Sequence, residues 1–449
     1  MGAWRRALLT KSLPEVHASV RVPTNASFWR KMFAFLGPGL LISVGYMDPG
    51  NWATDLEGGA KFGYTLLSVI LISSFMAILL QYLSLKLGIV TGRDLAQACR
   101  DHFSKPVVVF LWIICEISVA ACDLAEVIGS AIALNLLFKI PLLVGIVITA
   151  FDVLIVLFLQ NKGFRILECI VAVLIVTIGG CFGYELLVSH PAWNLIAGNL
   201  LPKPEIITNP QLLYIAIGIL GATVMPHNLY LHSSIVQTRA YERNDQGKAM
   251  AIRFATFDST VALFFAFFIN ASILIVSAAA FYGSVYQNVA DINDAYQLLS
   301  PVLGVSSASF LFAIALLASG QNSTLTGTLA GQIVMEGFLN IRLRPWIRRL
   351  ITRLIAIVPA IIVVAMYGQK GVGHLLILSQ VILSLQLGFA VVPLVMFTND
   401  SKKMGRFANS LWLKILAWVI TAVIIALNVY LFLQTVLPFI SAKCGSAQG

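Results

Sequence analysis

Asp48-Pro49-Gly50-Asn51 sits inside the apolar stretch from Gly37 to Ala60, and Met225-Pro226-His227-Asn228 inside the stretch from Tyr214 to Val236. Each run places a helix breaker and ligand-type side chains near the middle of a segment long enough to cross a bilayer. A carboxylate at that depth costs at least ~2.5–3.5 kcal/mol, so Asp48 needs a partner. Backbone leaves the helix there only where protein or a water-filled cavity satisfies it. Paired interruptions at matching places in two halves of a chain are the best sequence pointer to a substrate site between broken helices.

The surrounding composition agrees. Of 449 residues, 59% are hydrophobic and 11% charged, a balance that fits a polytopic membrane protein and no soluble domain. Eleven stretches are predicted as spans, near 33–58, 64–88, 107–137, 141–160, 165–187, 212–236, 254–282, 305–334, 350–368, 374–397 and 409–436. The longest connections include 188–211 and 283–304. With the N-terminus in the cytoplasm, only Lys61, Lys139, Lys203, Lys370 and Lys443 of the 30 basic residues fall outside, as the bias of Lys and Arg toward the inner side requires. An odd number of spans puts the C-terminus outside. The expected location is the cell (plasma or inner) membrane. The net charge of +10 follows from that bias and from contact with anionic lipid. No basic face with interleaved aromatics argues for nucleic acid. The cysteines (Cys99, Cys115, Cys122, Cys169, Cys181 and Cys444) form no CxxC pair, which indicates neither a disulfide framework nor a zinc site. The first 31 residues lack a signal peptide's apolar run. The sequon Asn25-Ala26-Ser27 falls on the cytoplasmic side and carries no weight. No obligate protein partner and no resident cofactor are implied.

Spans 1–5 can be laid over spans 6–10, and the broken helix is then the first of each half. An odd-numbered repeat places the halves in opposite orientations, the inverted-repeat architecture. The resulting divisions are a cytoplasmic tail (1–32), a first repeat (33–187), an outer loop (188–211), a second repeat (212–397), a cytoplasmic loop with an added eleventh span (398–436) and an outer tail (437–449). Ordinary proline kinks would account for one break. Two breaks five spans apart, each flanked by ligand-type groups, argue for a site.

At the breaks, Asp48 offers a hard anionic oxygen and Asn51 a neutral one. Unwinding near Ala222–Thr223 would free backbone carbonyls, and Met225 adds a thioether. Oxygen alone suits Mg²⁺ or Ca²⁺, whereas one soft sulfur shifts the preference toward Mn²⁺ and Fe²⁺. Met more often fills apolar gaps, but its place beside the proline of a broken helix favours a ligand. His227 and His232 are candidate ligands, proton carriers or packing groups. In span 3, Asp123 projects about 20° and Glu126 about 80° from Glu116, so the three share one face. Acids on one face inside a membrane suggest a proton relay or a paired network. Candidate partners are Arg239, Arg342, Arg349 and Arg353. Asp152, Glu168 and Asp258 are expected in structural or gating pairs. In span 10, Gln380 and Gln386 are expected in interhelical hydrogen bonds, with Gln380 the better candidate to reach a metal.

With these residues the chain strongly resembles the natural-resistance-associated macrophage protein (Nramp) family of proton-coupled divalent-metal transporters. The matching blocks are Gly45-Tyr46-Met47-Asp48-Pro49-Gly50-Asn51-Trp52-Ala53-Thr54-Asp55, Asp123-Leu124-Ala125-Glu126-Val127-Ile128-Gly129, Gly221-Ala222-Thr223-Val224-Met225-Pro226-His227-Asn228, Gly320–Thr328 continuing to Met335-Glu336-Gly337, and Leu378-Ser379-Gln380. They cover spans 1 to 10 in order. The resemblance implies an all-α, LeuT-like fold of about eleven transmembrane helices, a 5+5 inverted repeat plus one. It implies import of Mn²⁺ or Fe²⁺ with H⁺ by alternating access. It implies metal ligands at Asp48, Asn51, the Ala222 carbonyl and Met225, joined in some states by Gln380. It implies proton handling by Asp48, His227, Asp123 and Glu126 toward Arg239 and Arg353, beside the candidates Glu116 and His232. Two departures stand out: Gly388 where the family often has Pro, and Cys122 where Thr is frequent. Met225 argues against the magnesium-transporting branch, which lacks this Met.

Two rivals set the tests. A sodium-coupled amino-acid transporter of the same architecture would cradle a carboxylate at the broken-helix ends. An intramembrane hydrolase would need Asp48 and His227 to sit within a nucleophile–base motif or a metal cluster, and the sequence has neither.

Overall fold

The computed structural model describes residues 4, 11–14, 16–23, 27–152, 163–286, 292–305, 307–341, 344–367 and 370–445. Long apolar runs fold as helices here because hydrocarbon offers backbone groups no other partners. Span 1 is split into Pro38–Gly45 and Pro49–Phe62, and span 6 into Pro210–Thr223 and Pro226–Ile235. Span 2 is Leu67–Thr91, span 3 Lys105–Phe138, span 5 Phe164–Val188, span 7 Asp245–Phe281 and span 8 Ala308–Leu339. Span 9 is Pro345–Tyr367, span 10 Lys370–Asn399 and span 11 Leu411–Gly445. Among the described residues, eight continuous helical stretches are long and apolar enough to cross a membrane, and shorter apolar helices at Leu142–Phe151 and Arg353–Met366 stand at spans 4 and 9. The rest of span 4, from 153, and the sequon residues Asn25 and Ala26 lie outside the described residues.

The first break sits upstream of the Asp48–Asn51 run, and the second falls just after Ala222–Thr223, which stay helical instead of unwinding. The non-helical residues are Tyr46, Met47 and Asp48 in span 1 and Val224 and Met225 in span 6. Each proline begins the second half-helix. There its missing N–H costs nothing and its fixed φ suits the first turn, so Gly50, Asn51, His227 and Asn228 are already helical.

Span 7 packs along both halves of span 1 and along span 2, while span 3 packs against spans 8, 9 and 10. Span 11 lies chiefly against span 10. Small residues permit the close crossings. A Cβ on Gly221 would lie 2.7 Å from the Ser384 nitrogen and collide with the Gln380 carbonyl. Outside the helices, the described residues include one two-residue parallel pairing, Val20–Arg21 with Arg239–Ala240.

The start of span 1 is held by charge. Arg239 Nη1 donates to Glu168 at 2.7 Å, and its other nitrogens donate to the Leu36 and Ala34 carbonyls at 2.6 and 3.1 Å. Asp258 accepts from Gly39 N at 2.7 Å and from Gly37 N at 3.3 Å. Gly37 takes φ +135°, and a Cβ there would collide with the Glu168 carboxyl, so only glycine fits. Glu168 thus forms a structural ion pair, while Asp258 caps the start of span 1 through backbone amides instead of pairing with a charge. Arg239 does not pair with the span 3 acids: the sequence could not say which acid would lie nearest.

Candidate metal site

The two prolines do more than end helices. In an α-helix the carbonyl of residue i accepts from the N–H of i+4. Pro49 and Pro226 have no N–H, so the carbonyls of Gly45 and Ala222 lose their partners. Both turn to the same donor. Asn51 Nδ2 lies 3.3 Å from Gly45 O, 3.2 Å from Ala222 O and 2.6 Å from Asp48 Oδ1. Three oxygens from two broken helices therefore converge on one amide nitrogen, in a site where Asp48, Asn51 and Met225 are at most 1% exposed.

Each remaining freed carbonyl of the first break has a side-chain donor. Tyr46 O accepts from Asn270 Nδ2 at 2.8 Å, and Met47 O accepts from Trp52 Nε1 at 3.1 Å and Ser319 Oγ at 2.5 Å. Asp48 caps the second half-helix by accepting from Asn51 N at 2.8 Å, which sets its charge at the positive end of that helix.

The other predicted ligands are close by. Gln380 Nε2 lies 3.4 Å from Asp48 Oδ2 and 3.1 Å from Ser379 Oγ, and its Oε1 makes no hydrogen bond. A Cβ on Gly50 would collide with this amide, so glycine admits span 10 to the site. Met225 is buried against Ala121, Cys122 and Leu383. A Cβ on Gly45 would lie 3.2 Å from the Met225 sulfur, which puts the thioether against the first break. His232 Nδ1 lies 2.9 Å from Gln81 Oε1, and Gln81 Nε2 donates to Tyr46 Oη at 2.8 Å. His232 is thereby tied into a brace beneath the first break. His227 is 2% exposed, its Nδ1 makes no hydrogen bond, and Asp123 lies within electrostatic reach.

A second buried centre lies between spans 3, 8 and 9. Arg353 reaches Asp152 Oδ2 at 2.8 Å, Glu126 Oε2 at 3.5 Å and the Asp123 carbonyl at 3.3 Å. Its Nη2 also donates to Thr324 Oγ1 at 2.6 Å, and that hydroxyl sits 3.3 Å from Glu126 Oε2. A Cβ on Gly327 would approach Glu126 Oε1 to 2.7 Å and Asp123 Oδ1 to 3.6 Å, so both carboxylates face span 8 there. Glu116 lies lower on the same helix, half-buried, and accepts from Trp112 Nε1 at 3.1 Å. Of the two expected arginines whose side chains are described, Arg353 is found beside these acids and Arg239 is not. Arg342 and the Arg349 side chain lie outside the described residues. Among the described residues no three His, Cys, Asp or Glu side chains gather as a metal cluster.

Residues 39–434 match the family model described as natural resistance-associated macrophage protein-like. This chain belongs to the Nramp family. It is 64% identical to the divalent metal cation transporter MntH of Listeria welshimeri serovar 6b, over 97% of either chain, and 64% identical to the MntH of a Nostoc species, over 94% of this chain and 96% of that one. It is similar to a crystal structure of the Eremococcus coleocola manganese transporter bound to an aromatic bis-isothiourea compound, with a TM-score of 0.86 and 42% identity over 93% of this chain and 90% of that one. Mhp1, a nucleobase-cation-symport-1 family transporter, shares the fold with a TM-score of 0.60 at 15% identity over 93% of this chain and 94% of that one. The Nramp chain is thus an all-α polytopic membrane protein of the LeuT-like, inverted-repeat class.

Within this Nramp protein the structure gathers Asp48, Asn51, the Ala222 carbonyl and Gln380, with the Met225 thioether against Gly45 of the first break and His227 within electrostatic reach of Asp123. It places Asp123, Glu126 and Arg353 in the second centre and Arg239 elsewhere. Sequence reasoning missed Gly45, whose carbonyl joins the site, and Asn270, which donates to Asn51 Oδ1 at 3.4 Å. The proline four residues downstream signals the first. A lone Asn in the apolar run of span 7 is the only mark of the second.

Proposed function

We propose that the chain imports Mn²⁺ or Fe²⁺ together with H⁺ by alternating access. Its family and the curated relatives named above make it a divalent metal cation transporter and no enzyme. The observation that carries the finer reading is the convergence of Asp48 Oδ1, Gly45 O and Ala222 O on Asn51 Nδ2. A partly positive N–H₂ group draws three oxygens together, as a cation would. Turning the Asn51 amide would present Oδ1 instead and complete a set of four oxygens beside the Met225 thioether. Four oxygens and one sulfur suit a borderline divalent ion better than Ca²⁺ or Mg²⁺. A single carboxylate leaves such an ion only partly neutralised, which keeps release possible.

In this reading an outward-open state admits the hydrated ion, which sheds water between the broken helices. A proton arrives near Asp48 and passes by His227 and Asp123 to Glu126 and the Arg353 centre, with the N-terminus on the cytoplasmic side. The Arg239–Glu168 pair and the His232–Gln81–Tyr46 brace then part as spans 1 and 6 rock. An inside-negative potential favours each entering charge by ~2.3 kcal/mol per 100 mV.

Proteoliposomes holding the full chain and a pH dye test this. Uptake of Mn²⁺ that acidifies the interior and rises as the outer pH falls is the expected result. Uptake without acidification would end the proton claim. Heat released by an amino acid with Na⁺, and none by Mn²⁺, would favour the amino-acid rival.

A further inference from the structure

Spans 3, 10 and 11 meet around a groove of about 860 Å³ that the transport reading does not use. Apart from Gln386 and Asn428, its lining is apolar. Asn428 is satisfied by Ser384, accepting from its hydroxyl at 2.9 Å and donating to its carbonyl at 2.7 Å. Gln386 is buried beside the Tyr230 hydroxyl. Phe110, Ile117, Phe389 and Phe432 line the groove yet are exposed, so the groove opens sideways, where a bilayer's hydrocarbon would lie. Along span 3 its lining runs from Val107 to Ile117. Ten residues of helix rise about 15 Å, the depth of one leaflet of a core ~30 Å thick.

The two ends differ. Phe103 and Met396 stand at one end, and the exposed Lys105 and Lys402 follow them in sequence. Asp400, the acid between Met396 and Lys402, is paired with Lys403 and also lies within electrostatic reach of Lys402, but one acid against Lys105, Lys402 and Lys403 leaves this end an excess of positive charge. At the other end Ile382 packs on the cluster of Ala121, Cys122, Met225 and Leu383. The groove therefore ends one side chain from the metal-site thioether, along the helix that carries Gln380. Gly388 lines the groove, and the nearest atom to a Cβ there is Ile425 Cγ1 at 3.4 Å. A large side chain at 388 would enter the groove.

We propose that this groove binds an acyl chain of an anionic phospholipid, with the phosphate at Lys105 and Lys402, and that the bound chain supports the span 10 arrangement in which Gln380 faces Asp48. Binding stands apart from the transport reading; the effect on Mn²⁺ uptake rests on it. The test uses the purified full chain with phosphatidylglycerol or phosphatidylcholine, native mass spectrometry, and a phosphatidylglycerol carrying a photoreactive acyl chain. We expect retained phosphatidylglycerol, photolabels on spans 3, 10 and 11, and at least a tenfold loss of retention in Gly388→Phe. Lys105→Gln with Lys402→Gln, both at exposed positions and so without effect on folding, should lower the preference for phosphatidylglycerol about tenfold. Wild-type uptake should be several-fold faster in phosphatidylglycerol vesicles, and that advantage should vanish in Gly388→Phe. Labels elsewhere, equal retention of both lipids, or crosslinks joining two copies across this face would overturn the lipid site. Lipid bound as expected with uptake indifferent to it would overturn only the link to span 10.

Discussion

At the first break the residue before the proline is Asp48, whose carboxylate caps the next half-helix; at the second it is Met225, whose side chain makes no cap. In both, the proline strips a carbonyl four residues upstream of its partner. The first break can hold a charge because that charge answers a helix N-terminus. The second supplies a carbonyl and a neutral sulfur. One device, used twice with different side chains, gives two breaks of which the first carries an anion before its proline and the second does not. In the proposed reading that asymmetry suits a divalent cargo that must leave again.

Removing the anion should break the comparison most completely. Asp48→Ala loses both the charge and the cap, and Mn²⁺ uptake by proteoliposomes should fall by about 100-fold or more. Asp48→Asn separates the two roles, since an amide oxygen still caps the helix. If Asp48→Asn imports Mn²⁺ at the wild-type rate, the charge is not the ligand. The prolines come next. Pro226→Ala returns an N–H to the Ala222 carbonyl, and no side-chain cap opposes continuous helix, so uptake should drop about tenfold. Pro49→Ala should cost less, because Asp48 still marks a helix start. Equal losses would show that the cap has no part in keeping the first break open.

The spans were legible because a bilayer demands long apolar runs, and the two breaks because polar residues and prolines there are costly. Their position was less legible. A proline at the first helical position leaves the uncoiled residues just before it, at Tyr46–Asp48 and Val224–Met225, so Ala222 frees its carbonyl without leaving the helix. The convergence of Asn51 on Gly45 and Ala222 needs helix geometry that spacing alone does not contain. Glu126 and Arg353 lie 227 residues apart in sequence, and local pattern cannot choose Arg353 over Arg239 for that acid.

The sulfur should account for selectivity more than for rate. In Met225→Ala the oxygens remain, so Mn²⁺ still binds, while discrimination against Ca²⁺ falls about tenfold, or ~1.4 kcal/mol. Competition of Ca²⁺ with Mn²⁺ uptake measures it. Unchanged discrimination would make the thioether packing alone, and the two breaks would then differ only in charge.

Asn270 sharpens the comparison from outside both breaks. It donates from one nitrogen to the Tyr46 carbonyl at 2.8 Å and to Asn51 Oδ1 at 3.4 Å, and so holds the Asn51 amide with its N–H₂ toward Asp48. A metal needs the opposite face, so its binding competes with this contact. Asn270→Ala removes the competitor, a hydrogen bond worth about 1 kcal/mol. The apparent affinity for Mn²⁺ should therefore rise, by up to about fivefold, as read from the concentration dependence of uptake. The loss of a donor to Tyr46 O acts on the first break alone, so the maximal rate should fall while affinity improves. Weaker binding in Asn270→Ala would mean that Asn270 builds the site and does not oppose its filling.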